Sequence, residues 1–113
     1  MILNILMMKT IGRMKFIMTN KHWKEILNEF GEKLYILYFT PFGNEEELIR
    51  FTKDKDGDYV YVSELLNVEN DYLGCEKEDS IEYIKYICEE MIKEYYEDEI
   101  AYNELLLRLF KKE

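Results

Sequence analysis

The sequence is poor in cysteine, histidine and glycine, and each shortage argues against a class of active site. Cys75, Cys88 and the single histidine, His22, fall short of the four ligands of a structural zinc site. The five glycines form no phosphate-binding loop. Ser63 and Ser80 lack the flanking glycines of a nucleophile elbow. We therefore expect a protein that is not an enzyme and has no catalytic residue, metal or cofactor.

The two cysteines could form a disulfide on count alone. Because nothing indicates secretion, we expect two free thiols, with Cys88 in a helix core, and a reducing, cytoplasmic location.

The chain also lacks a long uninterrupted apolar run. Residues 1–18 are apolar but contain Lys9, Arg13 and Lys15, so they fall short of the roughly 20 apolar residues that span a membrane. The basic residues follow the apolar run, whereas in a signal peptide they precede it. We expect residues 1–18 to be a loosely attached extension or an extra edge strand, residues 19–113 to form a single domain, and no membrane association.

Basic residues are scarce in the second half of the chain. The formal net charge is -9, and between Glu64 and Glu104 fourteen carboxylates face only Lys77, Lys85 and Lys93. Binding of duplex DNA requires Lys and Arg to displace counterions from the phosphates, so we expect no direct contact with nucleic acid. The composition favours a partner with a basic surface.

Hydrophobic spacing predicts an α+β fold that begins with a helix. Trp23, Ile26, Leu27 and Phe30 recur at helical spacing, with Thr19 or Asn20 as the cap and Gly31 ending the helix in a left-handed conformation. Alternating patterns predict a three-stranded antiparallel sheet. Its strands are 33–40, 47–53 and 58–63, with a hairpin turn at 54–57. Residues 65–77 are expected to be an irregular connection.

The remainder, 79–112, contains no helix breaker and predicts one or two C-terminal helices. We favour two helices meeting near residues 95–98, because one helix of over thirty residues would outrun a small sheet. Asp79 and Glu82 are the expected capping pair. The expected buried stripe of this segment begins at Ile81 and follows helical spacing. It comprises Ile81, Ile84, Ile87, Cys88, Met91 and Ile92.

Charge along these helices changes character after Lys93. Before it, Glu82, Lys85 and Glu89 alternate in sign at helical spacing and can neutralise one another. After it, no cation appears until Arg108, and like charges three or four residues apart repel by about 0.2–0.5 kcal/mol per pair. This pattern predicts a surface that meets a basic partner. A merely solvated helix face is the alternative and stays open at this point.

The aspartates of the predicted hairpin turn and the tyrosines each allow two interpretations. Asp54, Asp56 and Asp58 suggest a calcium loop, but an EF-hand counted from Asp54 would place Tyr59 and Leu65 where it requires Gly and Glu. We therefore expect a solvated turn without a bound ion. Five of the ten tyrosines fit the core, namely Tyr35, Tyr59, Tyr61, Tyr83 and Tyr86. Core and interface roles are equally open for the three among the carboxylates, Tyr95, Tyr96 and Tyr102.

Three short stretches resemble a phage-encoded anti-CRISPR family, the small acidic inhibitors of type II-A CRISPR effector nucleases. They are 48–50 (Leu-Ile-Arg), 56–64 and 94–104. In that family an Asp-Gly turn leads into a Tyr-Val strand ending in Ser-Glu, and a Glu-Tyr acidic run leads into Tyr-Asn and an acid. This chain departs from the family by residues 1–18, by a longer connection after Ser63, and by Ile100 and Ala101. These departures leave the particular target nuclease open.

The resemblance implies a DNA mimic that acts in the bacterial host cell. Its partner would be a guide-RNA-loaded CRISPR effector nuclease, whose arginines read a short duplex motif. Carboxylates could occupy those arginines by bidentate pairing and exclude the DNA. The protein would be a monomer or a small homo-oligomer. The residues expected to bind the partner are Asp56, Asp58, Glu64, Glu94, Tyr95, Tyr96, Glu97, Asp98, Glu99, Tyr102, Asn103 and Glu104.

Two other functions would use the same acidic surface. One is an immunity protein or antitoxin that masks a basic toxin. The other is an anti-restriction DNA mimic.

Overall fold

A computed structural model describes residues 20–112, which form a mixed α+β structure. The strands are β1 (Lys21–Leu27), β2 (Lys33–Phe39), β3 (Glu46–Lys53), β4 (Tyr59–Ser63) and β5 (Val68–Tyr72), followed by helix α1 (Ile81–Lys111). The strands form one antiparallel sheet in sequence order. Every connection is thus a hairpin between neighbours.

The described chain divides into two compact units, residues 20–89 and 90–112. The first contains the sheet and the start of α1, and the second contains the rest of α1. The single domain expected over 19–113 stays a prediction. The extension expected over 1–18 lies outside the described residues.

The core of the first unit is built on β2, which is buried on both faces. Leu37 and Phe39 point to one side and Ile36 to the other, and all three are almost fully buried. On the first side, the Phe51 ring stacks on Tyr35 at 4.9 Å between centroids. An inner strand of this kind was predicted from the doubly apolar sequence of residues 33–40, and this prediction is confirmed.

The first turns of α1 cover the same side of the sheet. Lys85 Nζ lies 5.7 Å from the ring centroid of Trp23 and 5.8 Å from that of Tyr35. Ile84 and Cys88 are fully buried. The buried stripe of this part of α1 was therefore predicted correctly at its centre. The cap is Ser80, whose Oγ accepts a hydrogen bond from the Tyr83 N–H, and not the predicted Asp79.

The predicted N-terminal helix is wrong, because its residues form β1. The Trp23 ring packs edge-on against Phe51 at 5.7 Å between centroids, a contact with another strand that helical spacing could not reveal. Gly31 does adopt the predicted left-handed conformation, with φ 77°, but it closes the β1–β2 hairpin. There Asn28 Oδ1 accepts hydrogen bonds from the backbone N–H groups of Phe30 and Glu32.

The three-stranded layout is also wrong, because residues 20–112 already form a sheet of five strands. The region predicted as an irregular connection contains β5, which pairs with β4 despite its polar sequence Val-Glu-Asn-Asp-Tyr. A buried serine holds the turn between these two strands. Ser63 Oγ donates to the Leu48 carbonyl at 2.7 Å and accepts from the Leu66 N–H at 3.0 Å.

Segment 79–112 contains one helix of 31 residues, Ile81–Lys111, and not the two that we favoured. At 1.5 Å per residue, α1 is about 46 Å long. The argument from sheet size failed because nothing requires a helix to match a sheet in length. The absence of glycine and proline from α1 decides its continuity.

Candidate protein-interaction surface

The carboxylates of the second unit are arranged by the helical repeat of α1. Glu90, Glu94, Glu97 and Glu104 are separated by four, three and seven residues, so they share one side of the helix. Glu94 is exposed, and Glu97 and Glu104 are half-buried. Asp98 is exposed and lies beside this row, whereas Glu99 is exposed on the opposite side of the helix. These carboxylates, from Glu90 to Glu104, are called the acidic segment below.

The carboxylates of α1 differ in ion pairing between the first unit and the second. In the first unit, Glu82 lies 3.5 Å from Lys85 Nζ, and Glu89 lies 3.0 Å from Lys21 Nζ. Among residues 20–112, none of the carboxylates of the acidic segment has an ion-pair partner. Within the described residues the carboxylates of α1 therefore lose their ion pairs from Glu90 onward, whereas the sequence placed this change after Lys93. Of the neutralising contacts predicted along the helix, the one between Glu82 and Lys85 forms, and Glu89 pairs with β1 instead.

The charge density of the acidic segment is close to that of one DNA strand. Six carboxylates and Lys93 lie along about 21 Å of helix, or about one net negative charge per 4 Å. A single strand of B-DNA carries one phosphate charge per about 3.4 Å of axis. A basic surface that faces the row would meet five of these carboxylates and Lys93, or about one net negative charge per 5 Å, which is somewhat below the density of the DNA strand.

The aromatic and amide residues of this segment differ in availability. Tyr102 is 58% exposed, whereas Tyr95 and Tyr96 are half-buried and pack edge-on at 5.3 Å between centroids. Asn103 Nδ2 donates to the backbone carbonyl of Glu99 at 2.7 Å. This bond ties the Asn103 side chain to its own helix. Tyr102 is thus the most accessible aromatic residue of the set.

The structure does not bring the predicted hairpin residues together. Asp56 and Asp58 lie at the β3–β4 turn, and Glu64 follows the opposite end of β4. Five strand residues separate the two places by about 17 Å. Asp58 also has a cation nearby, since Lys77 Nζ is 4.0 Å away. All three belong to the first unit, whereas the acidic segment belongs to the second.

The aspartates of the hairpin have a structural role in the turn. Asp54 Oδ1 accepts hydrogen bonds of 2.9 Å from the N–H groups of both Asp56 and Asp58. Gly57 has φ 87°, as predicted for this turn. Within the described range no three His, Cys, Asp or Glu side chains are grouped so as to hold a metal ion.

Two exposed tyrosines were misplaced by the sequence analysis. Tyr35, Tyr59 and Tyr61 are buried as predicted, but Tyr83 and Tyr86 are 48% and 56% exposed. Their position could have been recognised, because neither falls on the stripe of Ile84, Cys88 and Ile92. Helical spacing does not explain why the leucines near the end of α1 are exposed. Leu105, Leu106, Leu107 and Leu109 are all at least 43% exposed.

Comparisons with protein-family models, with curated proteins and with solved structures found no match to this chain. Both cysteines are free thiols, as predicted, and burial raises the pKa of Cys88 to about 12. No helix in the described part of the chain has the length and apolar character needed to cross a membrane.

Proposed function

We propose that the chain is an anti-CRISPR inhibitor that binds a CRISPR effector nuclease through its acidic segment. Binding would prevent the nuclease from docking on the duplex next to its target. The observation that carries this proposal is the acidic segment itself, which has no ion-pair partner within residues 20–112. The choice of a CRISPR nuclease as the partner rests on the sequence resemblance.

The mechanism follows from the chemistry of the two surfaces. A nuclease of this type reads its short duplex motif through arginines in a positively charged groove. Carboxylates accept bidentate hydrogen bonds from guanidinium groups, as phosphates do. Carboxylates held on a helix lose little conformational freedom on binding, which favours affinity. The inhibitor would compete with DNA for the same arginines, without a catalytic step.

The test is to neutralise Glu97, Asp98 and Glu99 while keeping their shape. In the variant Glu97→Gln, Asp98→Asn, Glu99→Gln, like-charge repulsion falls, so we expect the isolated protein to be no less stable. Affinity for a guide-loaded type II nuclease should fall, because neutralising one partner of a desolvated charge pair costs about 2–5 kcal/mol. Complex formation and DNA cleavage should be measured at two salt concentrations.

A matched control removes the same charge elsewhere. Glu46, Glu69 and Glu78 are exposed carboxylates of the first unit, and none has an ion pair in the described chain. Replacing all three by Gln should leave inhibition nearly unchanged. Equal losses from both triple variants would show that only net charge matters. A wild-type protein that neither binds nor inhibits the nuclease would refute the assignment of this partner.

A further inference from the structure

Tyr83 and Tyr86 form an exposed aromatic surface near the start of α1. Their ring centroids are 6.4 Å apart, and the ring planes are inclined by only 28°. Neither hydroxyl makes a hydrogen bond to the described residues. Because both rings are about half exposed, a planar group can reach their faces from solvent.

A cavity of about 400 Å³ adjoins Tyr83. Its wall includes Glu76, Asp79 and Ile87, together with the chain from Leu73 to Cys75. Asp79 Oδ2 accepts a hydrogen bond of 2.8 Å from the Glu76 N–H, which fixes the orientation of this carboxylate. The cavity therefore combines an aromatic wall, an apolar wall and a positioned carboxylate.

The charges around this cavity are unbalanced towards the negative. Lys77 Nζ lies 4.0 Å from Asp58, and Lys85 lies 3.5 Å from Glu82 and over the ring of Trp23. Both nearby lysines thus contact other groups. In the part of the chain that the structure describes, neither Glu76 nor Asp79 has an ion-pair partner.

We propose that Tyr83, Tyr86 and the adjoining cavity bind an arginine side chain of the basic protein partner. A guanidinium is planar, so it can stack on a tyrosine face while it donates two parallel hydrogen bonds to a carboxylate. Lysine has a compact, strongly hydrated charge and cannot make that bidentate, stacked contact. Tyr83 would supply the stacking face and Asp79 the acceptor. The arrangement thus selects arginine over lysine.

This inference rests on the proposed function for the presence of a basic protein partner, but it concerns a different surface from the acidic segment. Two paired variants test it in the full-length protein. Tyr83→Leu with Tyr86→Leu removes both π faces and keeps apolar bulk, whereas Tyr83→Phe with Tyr86→Phe keeps the faces. As a control, Tyr72→Leu changes a somewhat more exposed tyrosine, 63% accessible, on β5.

The first measurement is the affinity for a guide-loaded type II nuclease. The Leu pair should bind about tenfold more weakly than wild type, which corresponds to one desolvated cation–π contact. The Phe pair and Tyr72→Leu should bind as wild type does. If the wild type binds the nuclease and the Leu pair binds it equally tightly, this inference is overturned and the proposed function stands.

The second measurement does not depend on the nuclease. Ring resonances of Tyr83 and Tyr86 are followed by NMR during titration with an arginine-rich peptide and with a lysine peptide of equal length and charge. Stronger binding of the arginine peptide, with shifts at these two rings, would support the inference even if the nuclease does not bind. Equal responses to the two peptides, or shifts confined to α1 beyond residue 89, would overturn it.

Discussion

Glu89 joins β1 to α1, and its removal should destabilise the first unit. Glu89 Oε2 accepts a hydrogen bond of 2.7 Å from Trp23 Nε1, and Oε1 lies 3.0 Å from Lys21 Nζ. Its side chain is 24% exposed, so water can replace these partners only in part. Sequence spacing had placed Glu89 among the solvated charges of the helix. The structure makes it a tertiary contact.

The size of the effect follows from these two interactions. A hydrogen bond to a charged group contributes about 1.5–3 kcal/mol, and a partly exposed ion pair adds about 0.2–1 kcal/mol. Glu89→Ala should therefore lower the free energy of unfolding by about 2–3 kcal/mol. This corresponds to a decrease in Tm of roughly 10–20 °C for a domain of this size. Glu89→Gln should lose less, because its amide oxygen can still accept from Trp23.

Urea unfolding followed by tryptophan fluorescence measures this directly, since Trp23 is the single tryptophan. The control is Glu82→Ala, whose parent side chain is 85% exposed and should contribute at most about 1 kcal/mol. A double-mutant cycle of Glu89→Ala with Trp23→Phe isolates the hydrogen bond, and its unfolding curves are followed by circular dichroism because Trp23→Phe removes the fluorophore. A coupling energy near zero, with Glu89→Ala no worse than Glu82→Ala, would refute the reasoning.

Three further predictions concern the thiols and the domain boundary. Burial raises the pKa of Cys88 to about 12, so a thiol reagent at pH 8 should label Cys75 alone in the native protein and both cysteines in urea. The pKa of Cys88 is higher in the folded than in the unfolded protein, so the protonated thiol stabilises the fold fully below pH 9.0, its ordinary pKa. This stabilisation is lost as pH rises towards 12. The free energy of unfolding of Cys88→Ala should decrease less over this pH range. Deletion of residues 1–14 should leave folding and inhibition intact. If circular dichroism shows that the truncated chain is unfolded, the predicted start of the domain at residue 19 is wrong.

The central strands were predictable because their signals are local. Alternation identified β3 and β4, and the doubly apolar run identified β2. The turn between β3 and β4 follows from Asp54 and Gly57, whose side-chain acceptor and positive φ act within four residues. Each of these features depends on neighbours in sequence, so sequence alone was enough.

β1 and β5, the first and last strands of the described sheet, were not predictable in the same way. The apolar residues among 21–27 have helical spacing and do not alternate, so the strand is decided by pairing with β2 and by the contact of Trp23 with Phe51. β5 contains Glu69, Asn70 and Asp71, which are poor strand formers, and it is held by pairing with β4. Sheet pairing between segments, and not the intrinsic preference of either, fixed both elements.

The same distinction between local and distant partners applies to the candidate interaction surface. The pairing of Glu82 with Lys85 could be inferred, because residues three apart on a helix are neighbours. The pairing of Glu89 with Lys21 could not be inferred, because Lys21 lies on β1, far from α1 in the sequence. A carboxylate that already binds a cation must give up that contact before it can bind a partner, so Glu89 is a poor candidate for the interface. Glu94, Glu97 and Asp98 have no such contact within the described residues, and the full free energy of a new ion pair is therefore available to a basic partner.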